Sequence, residues 1–219
     1  MAARVLDQTA DGQLQAARHL LSDLRAELAA VPATPEDAAT LGTALVQLDE
    51  LFLLVVVGEF NAGKSAFINA LAGQRILEEG VTPTTAHIYV LRYGKTSGTD
   101  VSASGLRTVT APVEFLKDIL IVDTPGTNAI LREHERLTSE FVPRADFVLF
   151  VTSADRPYTE TERAFIDAIR EWGKKIVIVI NKVDIFERPD DLEKVMAFVG
   201  DAAQQSLSVR PPIFPVSAR

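Results

Sequence analysis

Residues 51–65 read LFLLVVVGEFNAGKS, and the fold follows from how this stretch is divided. The run 51–57 is wholly apolar. It is far shorter than the ~20 residues a bilayer span needs, and it reads as a strand buried on both faces. Gly58, Gly63, Lys64 and Ser65 then match GxxxxGK[ST], a pattern that is specific when it follows a strand and opens a helix. AGKSAFINALAG (62–73) supplies that helix. Its glycines let backbone N–H groups curl around phosphates, and the helix N-terminus adds positive potential. Lys64 is expected to reach β and γ oxygens, and the Ser65 hydroxyl to bind Mg²⁺. Glu59, Phe60, Asn61, Ala62, Gly63, Lys64, Ser65 and Ala66 are therefore the candidate phosphate-loop residues. An ordinary glycine turn with an exposed lysine is disfavoured by the apolar strand that ends at Gly58.

Outward from this stretch, short β-rich runs alternate with helical ones. HIYVLRY (87–93), RTVTAPV (107–113), ILIVD (119–123), ADFVLFV (145–151), KIVIVI (175–180) and IFPV (213–216) read as strands. TETERAFIDAIREWG (159–173) and DDLEKVMAFVGDAAQQSL (190–207) read as helices. The alternation predicts an α/β fold, a mostly parallel sheet flanked by helices. Residues 94–105, GKTSGTDVSASG, are small, polar and glycine-rich, and read as a flexible connection. Upstream, Leu14, Ala17, Leu21, Leu24 and Leu28 form one helical stripe, and Leu41, Leu45, Leu48 and Phe52 a second. Thr34 offers an N-cap hydroxyl, with Pro35 at the first helical position and Asp37 three residues on. Residues 1–50 are thus expected to form a helical hairpin ahead of a main domain at 51–219.

Two further strand ends carry chemistry. Ile119 to Gly126 read ILIVDTPG, an apolar strand that delivers a carboxylate to its carboxyl end, where open α/β sheets bind their ligands. Asp123 is expected to hold Mg²⁺ through water, and the Gly126 N–H to reach the γ-phosphate. Residues 181–184, NKVD, select the base. The Asp184 carboxylate can accept from the N1–H and exocyclic amine of guanine, a donor pair adenine lacks. The nucleotide expected is therefore GTP or GDP. Asn181 either stabilises the loop or contacts the base edge, and the stem of Lys182 can cover the purine. Ser217, Ala218 and Arg219 follow the last strand and could supply a backbone N–H to the guanine oxygen.

GEFNAGKS, DTPG, NKVD and SAR, in this order, resemble the motifs of translation-factor-type GTPases. More narrowly, GEFNAGKSAFINALAG, VTPTTAHIYVLRYG (81–94), DTPGTN (123–128) and PRADFVLFVTSADRPYTETE (143–162) are similar to bacterial dynamin-like proteins, relatives of mitofusins. The resemblance covers residues 51–219 closely and the hairpin only in kind. It implies a GTP-hydrolysing head, truncated at its C-terminal end, with residues 1–50 as part of a neck or bundle. It places Thr82, Thr84 and Thr85 in switch I, where a family threonine binds Mg²⁺ and orients the attacking water. Thr82 is favoured, with Thr84 and Thr85 as alternatives. Asn61 resembles the asparagine with which related GTPases hold K⁺ or Na⁺ against the phosphates, doing an arginine finger's electrostatic work. The catalytic set implied is Lys64, Asn61, Thr82, Thr84, Thr85 and Gly126. Thr127 stands where small regulatory GTPases have glutamine, so water must be positioned by other means. Arg75, Arg92 and Arg132 read as solvated charges. The family reading further implies head-to-head self-association and contact with a lipid membrane by the full-length protein. A potassium-dependent GTPase of ribosome or transfer-RNA maturation is the alternative, and a GTP-binding scaffold without hydrolysis a third.

Composition narrows these classes. Lys and Arg number 22 against 30 Asp and Glu, a formal charge of −8, which argues against a nucleic-acid or anionic-membrane surface spread over the whole molecule, and no nucleic-acid partner is expected. The chain has no cysteine, which excludes disulfides, thiolate nucleophiles and Cys-based zinc sites and fits a cytoplasmic setting. The first residues show no basic run followed by an apolar one, so export is not expected. His87 and His134 lack metal-ligand spacing, and the charged run 132–136 reads as a solvated helix face.

Overall fold

A computed structural model of the chain describes residues 8–28, 34–49, 52–79, 87–102, 105–124 and 141–218. Thr82, Thr84, Thr85, Gly126, Arg132, His134 and Arg219 lie outside the described residues, as does most of the segment expected to form switch I.

Strand β1, Leu53–Val57, is buried at every position. Leu53, Val55 and Val57 join one apolar cluster and Leu54 and Val56 another. That alternation follows from the two-residue period of a strand, and it puts β1 at the middle of the molecule. The remaining strands are β2 Tyr89–Tyr93, β3 Gly98–Val101, β4 Arg107–Ala111, β5 Leu120–Asp123, β6 Phe147–Ser153, β7 Lys175–Asn181 and β8 Ile213–Pro215. Their order across the sheet is β3-β4-β2-β5-β1-β6-β7-β8. β5, β1, β6, β7 and β8 are mutually parallel neighbours, so their carboxyl ends share one edge. β2 runs antiparallel to β5, and β3 antiparallel to β4. The sheet is mostly parallel, as the strand–helix alternation predicts.

Helix α3, Lys64–Ala72, covers one face through Ile68, and α4, Glu160–Arg170, and α5, Pro189–Leu207, cover the other through Phe165, Ile166, Ile169, Val199 and Ala203. Upstream, α1, Gln8–Leu28, and α2, Pro35–Asp49, pack against each other. Thr34 caps α2 as expected: its hydroxyl accepts from the Asp37 N–H at 3.2 Å, and its N–H donates to the Asp37 carboxylate at 3.2 Å. The Thr34 hydroxyl also donates to the Asp37 carboxylate at 2.6 Å, and this bond, with that from the Thr34 N–H, holds the Asp37 carboxyl below the usual range. The α1 stripe is only partly covered, with Leu14, Ala17, Leu21 and Leu28 half-buried and Leu24 46% exposed.

One element departs from the sequence expectation. Within the stretch read as a flexible connection, Gly98–Val101 forms edge strand β3, in register with Val101 opposite Arg107 and Gly98 opposite Thr110. All its residues are exposed. An edge strand without a buried face carries no apolar alternation, so its sequence resembles a loop.

At the end of β1 the chain must turn sharply against β6. Gly58 has φ +148°, and a Cβ there would stand 2.0 Å from the Val151 carbonyl oxygen. Gly58→Ala is therefore expected to lower stability by at least about 2 kcal/mol, measured by urea denaturation. A variant with an unchanged midpoint would contradict this reading of the turn.

Candidate functional site

The phosphate-loop motif, Asp123, NKVD and Ser217 with Ala218 all lie at the shared carboxyl edge of the sheet. Gly63, the N-cap of α3, is left-handed at φ +87°, which turns the loop directly into the helix. Lys64 Nζ donates to the carbonyls of Gly58 and Glu59, each at 3.0 Å. An ammonium has three donors, so one is left for a phosphate oxygen. Burial favours the neutral form of Lys64, and Asp123, Glu162 and Glu59 oppose it. Glu59, Phe60, Ser65 and Ala66 are half-buried, Ala62 is buried, and Asn61 is exposed with φ +63°.

Ser65 Oγ donates to Asp123 Oδ2 at 2.8 Å, which joins two of the three expected magnesium ligands across 58 positions of sequence. Asp123 is fully buried, and its Oδ1 has no hydrogen-bond partner among the described residues. Burial pushes its carboxyl up to about 6, against the opposing effects of Lys64 and the Ser65 hydroxyl. A buried oxygen without a donor, beside a hydroxyl, fits a hard cation or its bound water. Thr124 Oγ1 donates to the Val56 carbonyl at 2.8 Å, fixing the end of β5 against β1.

Asn181 joins the loops. Its Nδ2 donates to the carbonyls of Ala62 at 3.0 Å and Gly63 at 3.4 Å, and its Oδ1 accepts from the N–H of Lys182 at 2.8 Å and of Ala218 at 3.1 Å. Of the two roles left open for Asn181, the described contacts are those of loop stabilisation. The Ala218 N–H, one of those that Ser217, Ala218 and Arg219 could offer the guanine oxygen, meets Asn181 in this arrangement. Ser217 Oγ donates to Asp184 Oδ1 at 2.7 Å. Lys182 is left-handed at φ +63°, and its Nζ stands 4.0 Å from Asp155 Oδ1. Asp155 also accepts from the Ser153 hydroxyl, which holds its carboxyl below the usual range.

Sequence reasoning missed a polar assembly on the other side of the loop. Thr159 Oγ1 donates to Glu59 Oε1 at 2.6 Å. Glu162 is buried at the start of α4, and its Oε2 accepts from Thr152 Oγ1 at 2.9 Å and the Thr159 N–H at 3.1 Å. Thr159 and Glu162 form a capping box, and their T-x-x-E spacing was the available signal. A cavity of about 110 Å³ beside the loop is lined by Glu59, Asn61, Asp155, Arg156, Glu162 and Lys182 among others. A larger hollow of about 490 Å³ lies between α4 and α5, apart from these motifs, so size alone would misdirect.

The strand edge, the GxxxxGK[ST] loop and the NKVD loop together define the class: this is a P-loop GTPase domain. The chain belongs to the GTPase family whose model, described as 50S ribosome-binding GTPase, matches residues 53–182. It is 47% identical over 190 residues to the probable transmembrane GTPase FZO-like, chloroplastic, of Arabidopsis thaliana, covering 84% of this chain and 21% of that one. It is 28% identical over 191 residues to the bacterial dynamin-like protein of Nostoc punctiforme, covering 67% and 27%. GTPase Der of Lachnoclostridium phytofermentans is 30% identical over 159 residues, covering 68% and 31%. The chain thus spans between about one fifth and one third of these relatives. Among solved structures, one of an oligomerised bacterial dynamin pair superposes with a TM-score of 0.68 at 21% identity, covering 99% of this chain and 40% of that one. The resemblance to dynamin-like GTPases read from the motifs is borne out at the level of relatedness. No helix among the described residues is long and apolar enough to cross a membrane.

Burial pushes the Glu162 carboxyl up to about 7 from an ordinary 4.5. A raised carboxyl pKa favours the folded state while the group is protonated, so that contribution fades as pH climbs from about 4.5 to about 7. Nucleotide-free protein is expected to lose urea resistance between pH 5 and pH 8, and Glu162→Gln to lose less. An equal or steeper loss in the variant would contradict the assignment.

Proposed function

We propose that residues 51–219 are the GTP-hydrolysing head of a dynamin-like membrane-remodelling protein, and that residues 1–50 are part of its neck. The observation that carries the nucleotide part is the four-way contact of Asn181, which gathers the phosphate loop, NKVD and Ala218 at one edge of the sheet. The dynamin part is supported by the FZO-like and dynamin-like relatives and by a fold match that extends over 99% of the chain, its helices included.

In this reading the loop N–H groups and the free donor of Lys64 bind the β- and γ-phosphates. Ser65 and Asp123 would hold a magnesium ion, which neutralises charge on the phosphate oxygens. Asp184, held by Ser217, accepts from guanine N1–H and the exocyclic amine, while the stem of Lys182 covers the ring. Asn61 would hold K⁺ or Na⁺ against the phosphates. Thr82, or Thr84 or Thr85, orients the attacking water, and Gly126 donates to the γ-phosphate. Hydrolysis is accelerated when two heads meet across the nucleotide, and the full-length protein works in the cytoplasm at a membrane periphery.

A second reading, a potassium-dependent GTPase of ribosome or transfer-RNA maturation, draws support from the family description and from GTPase Der. The charge of −8 weighs against it, because an RNA partner rewards a basic surface. Co-sedimentation of the full-length chain with liposomes and with ribosomes separates the two. Pelleting with lipid is expected, and pelleting with ribosomes alone would overturn the dynamin reading.

Base recognition is tested by Asp184→Asn, which is expected to exchange preference for GTP for xanthosine triphosphate by at least about tenfold in competition binding. Retained GTP selectivity would contradict the role of Asp184. The cation is tested by turnover in KCl against choline chloride, where at least about a tenfold fall is expected without K⁺. Equal rates would remove Asn61 from that role.

A further inference from the structure

Glu59 poses an electrostatic problem. It lies in the loop read as a cradle for a polyanion, and an untethered carboxylate there would repel phosphate. Its side chain is instead held by Thr159 Oγ1 at 2.6 Å, across 100 positions of sequence. The direction of that bond is fixed, because a carboxylate can only accept, and a lone pair of Thr159 Oγ1 meanwhile takes the Glu162 N–H at 3.3 Å as the N-cap of α4. Its own proton therefore goes to Glu59. Donation to a carboxylate makes this a charge-assisted bond, stronger than a neutral one.

The frame behind Thr159 is rigid. Glu162 Oε2 takes the Thr159 N–H and the Thr152 hydroxyl, and Thr152 Oγ1 in turn accepts from the Tyr158 N–H at 3.1 Å. Thr152 belongs to β6, so the start of α4 is fastened to the strand beside β1. The Glu59 carbonyl, meanwhile, accepts from Lys64 Nζ at 3.0 Å. One residue thus links the α4 cap, through its side chain, to the ammonium of the phosphate loop, through its backbone. Asn181 holds the second half of the loop at Ala62 and Gly63, and this bond holds the first half.

We propose that Thr159 is a positioning residue for nucleotide binding: by tethering Glu59 it turns a carboxylate away from the phosphates and fixes the carbonyl that aims Lys64. This rests on the GTP-binding reading above.

The test is stopped-flow release of a fluorescent N-methylanthraniloyl GDP in Mg²⁺, with thermal melting of nucleotide-free protein beside it. Glu59→Ala deletes the acceptor and leaves the helix cap intact. It is expected to release the probe about tenfold faster, because the carbonyl that aims Lys64 is no longer fixed, with melting lowered by no more than the few degrees that one charged hydrogen bond is worth. Glu59→Gln keeps the acceptor oxygen and Thr159→Ser keeps both donor and cap, so each is expected within about threefold of wild type. Thr159→Asp keeps a cap acceptor but cannot donate, and should speed release. Combining it with Glu59→Gln restores a bond of reversed direction, and release should slow again. Glu59→Ala with wild-type or slower release would overturn the tether. So would Thr159→Ser or Glu59→Gln releasing as fast as Glu59→Ala. Absence of saturable binding by wild type would instead sink the nucleotide reading itself.

Discussion

The side chain of Asn181 is the constraint on which the site depends. It is 2% exposed, and each half of its carboxamide is used: the amide donates to two carbonyls of the phosphate loop, and the oxygen takes the N–H groups of Lys182 and Ala218. These loops leave β1, β7 and β8, which run parallel within one sheet, and without a shared partner each would keep the independence of a surface connection. The fit is close on both sides. A Cβ at Gly63 would stand 2.2 Å from Asn181 Nδ2, so glycine there answers the asparagine as much as it answers a phosphate. Buried polar groups of this kind are costly when half satisfied and rigidifying when fully satisfied.

Charge is the second constraint. Lys64 is buried within reach of Asp123, Glu162 and Glu59, and burial drives the lysine and both Asp123 and Glu162 toward their neutral forms. Removing charges from water is expensive unless opposite charges and hydrogen bonds offset the cost. The protein meets that demand locally, with backbone carbonyls for Lys64, hydroxyls for Asp123 and Glu162, and a helix N-terminus beside Glu59. Asp123 Oδ1 is the exception, buried without a partner among the described residues, and a hard cation would satisfy it.

How much of this was legible depends on what leaves a pattern in sequence. Leu53–Val57 and the other buried strands announced themselves, because burial on both faces demands unbroken apolar runs. The phosphate loop, Asp123 and Asp184 were legible because the chemistry fixes residue type and spacing together. Gly98–Val101 was not, since an exposed edge strand places no apolar demand on its sequence. The Ser217–Asp184 bond and the contact of Thr159 with Glu59 were hidden for another reason: each joins residues far apart in the chain whose types are common in loops. Thr159 and Glu162 carried a local capping signature, yet nothing local says that the cap also faces the phosphate loop. Asn181 was legible as a site residue, with loop stabilisation one of the two roles left open, but its partners were not, because they are backbone groups, and backbone leaves no trace in residue type.

That role is also where the central claim is most exposed. In Asn181→Ala, the hydrogen bonds to Ala62, Gly63 and Ala218 that gather the loops are lost, with that to the Lys182 N–H, while Lys64, Ser65, Asp123 and Asp184 remain. The direct measurement is calorimetric affinity for GDP and ADP, wild type against variant, in Mg²⁺. If Asn181 holds the site together, GDP affinity falls by at least about a hundredfold and discrimination against ADP shrinks with it. Wild-type affinity and selectivity in the variant would show that the loops hold their places without it.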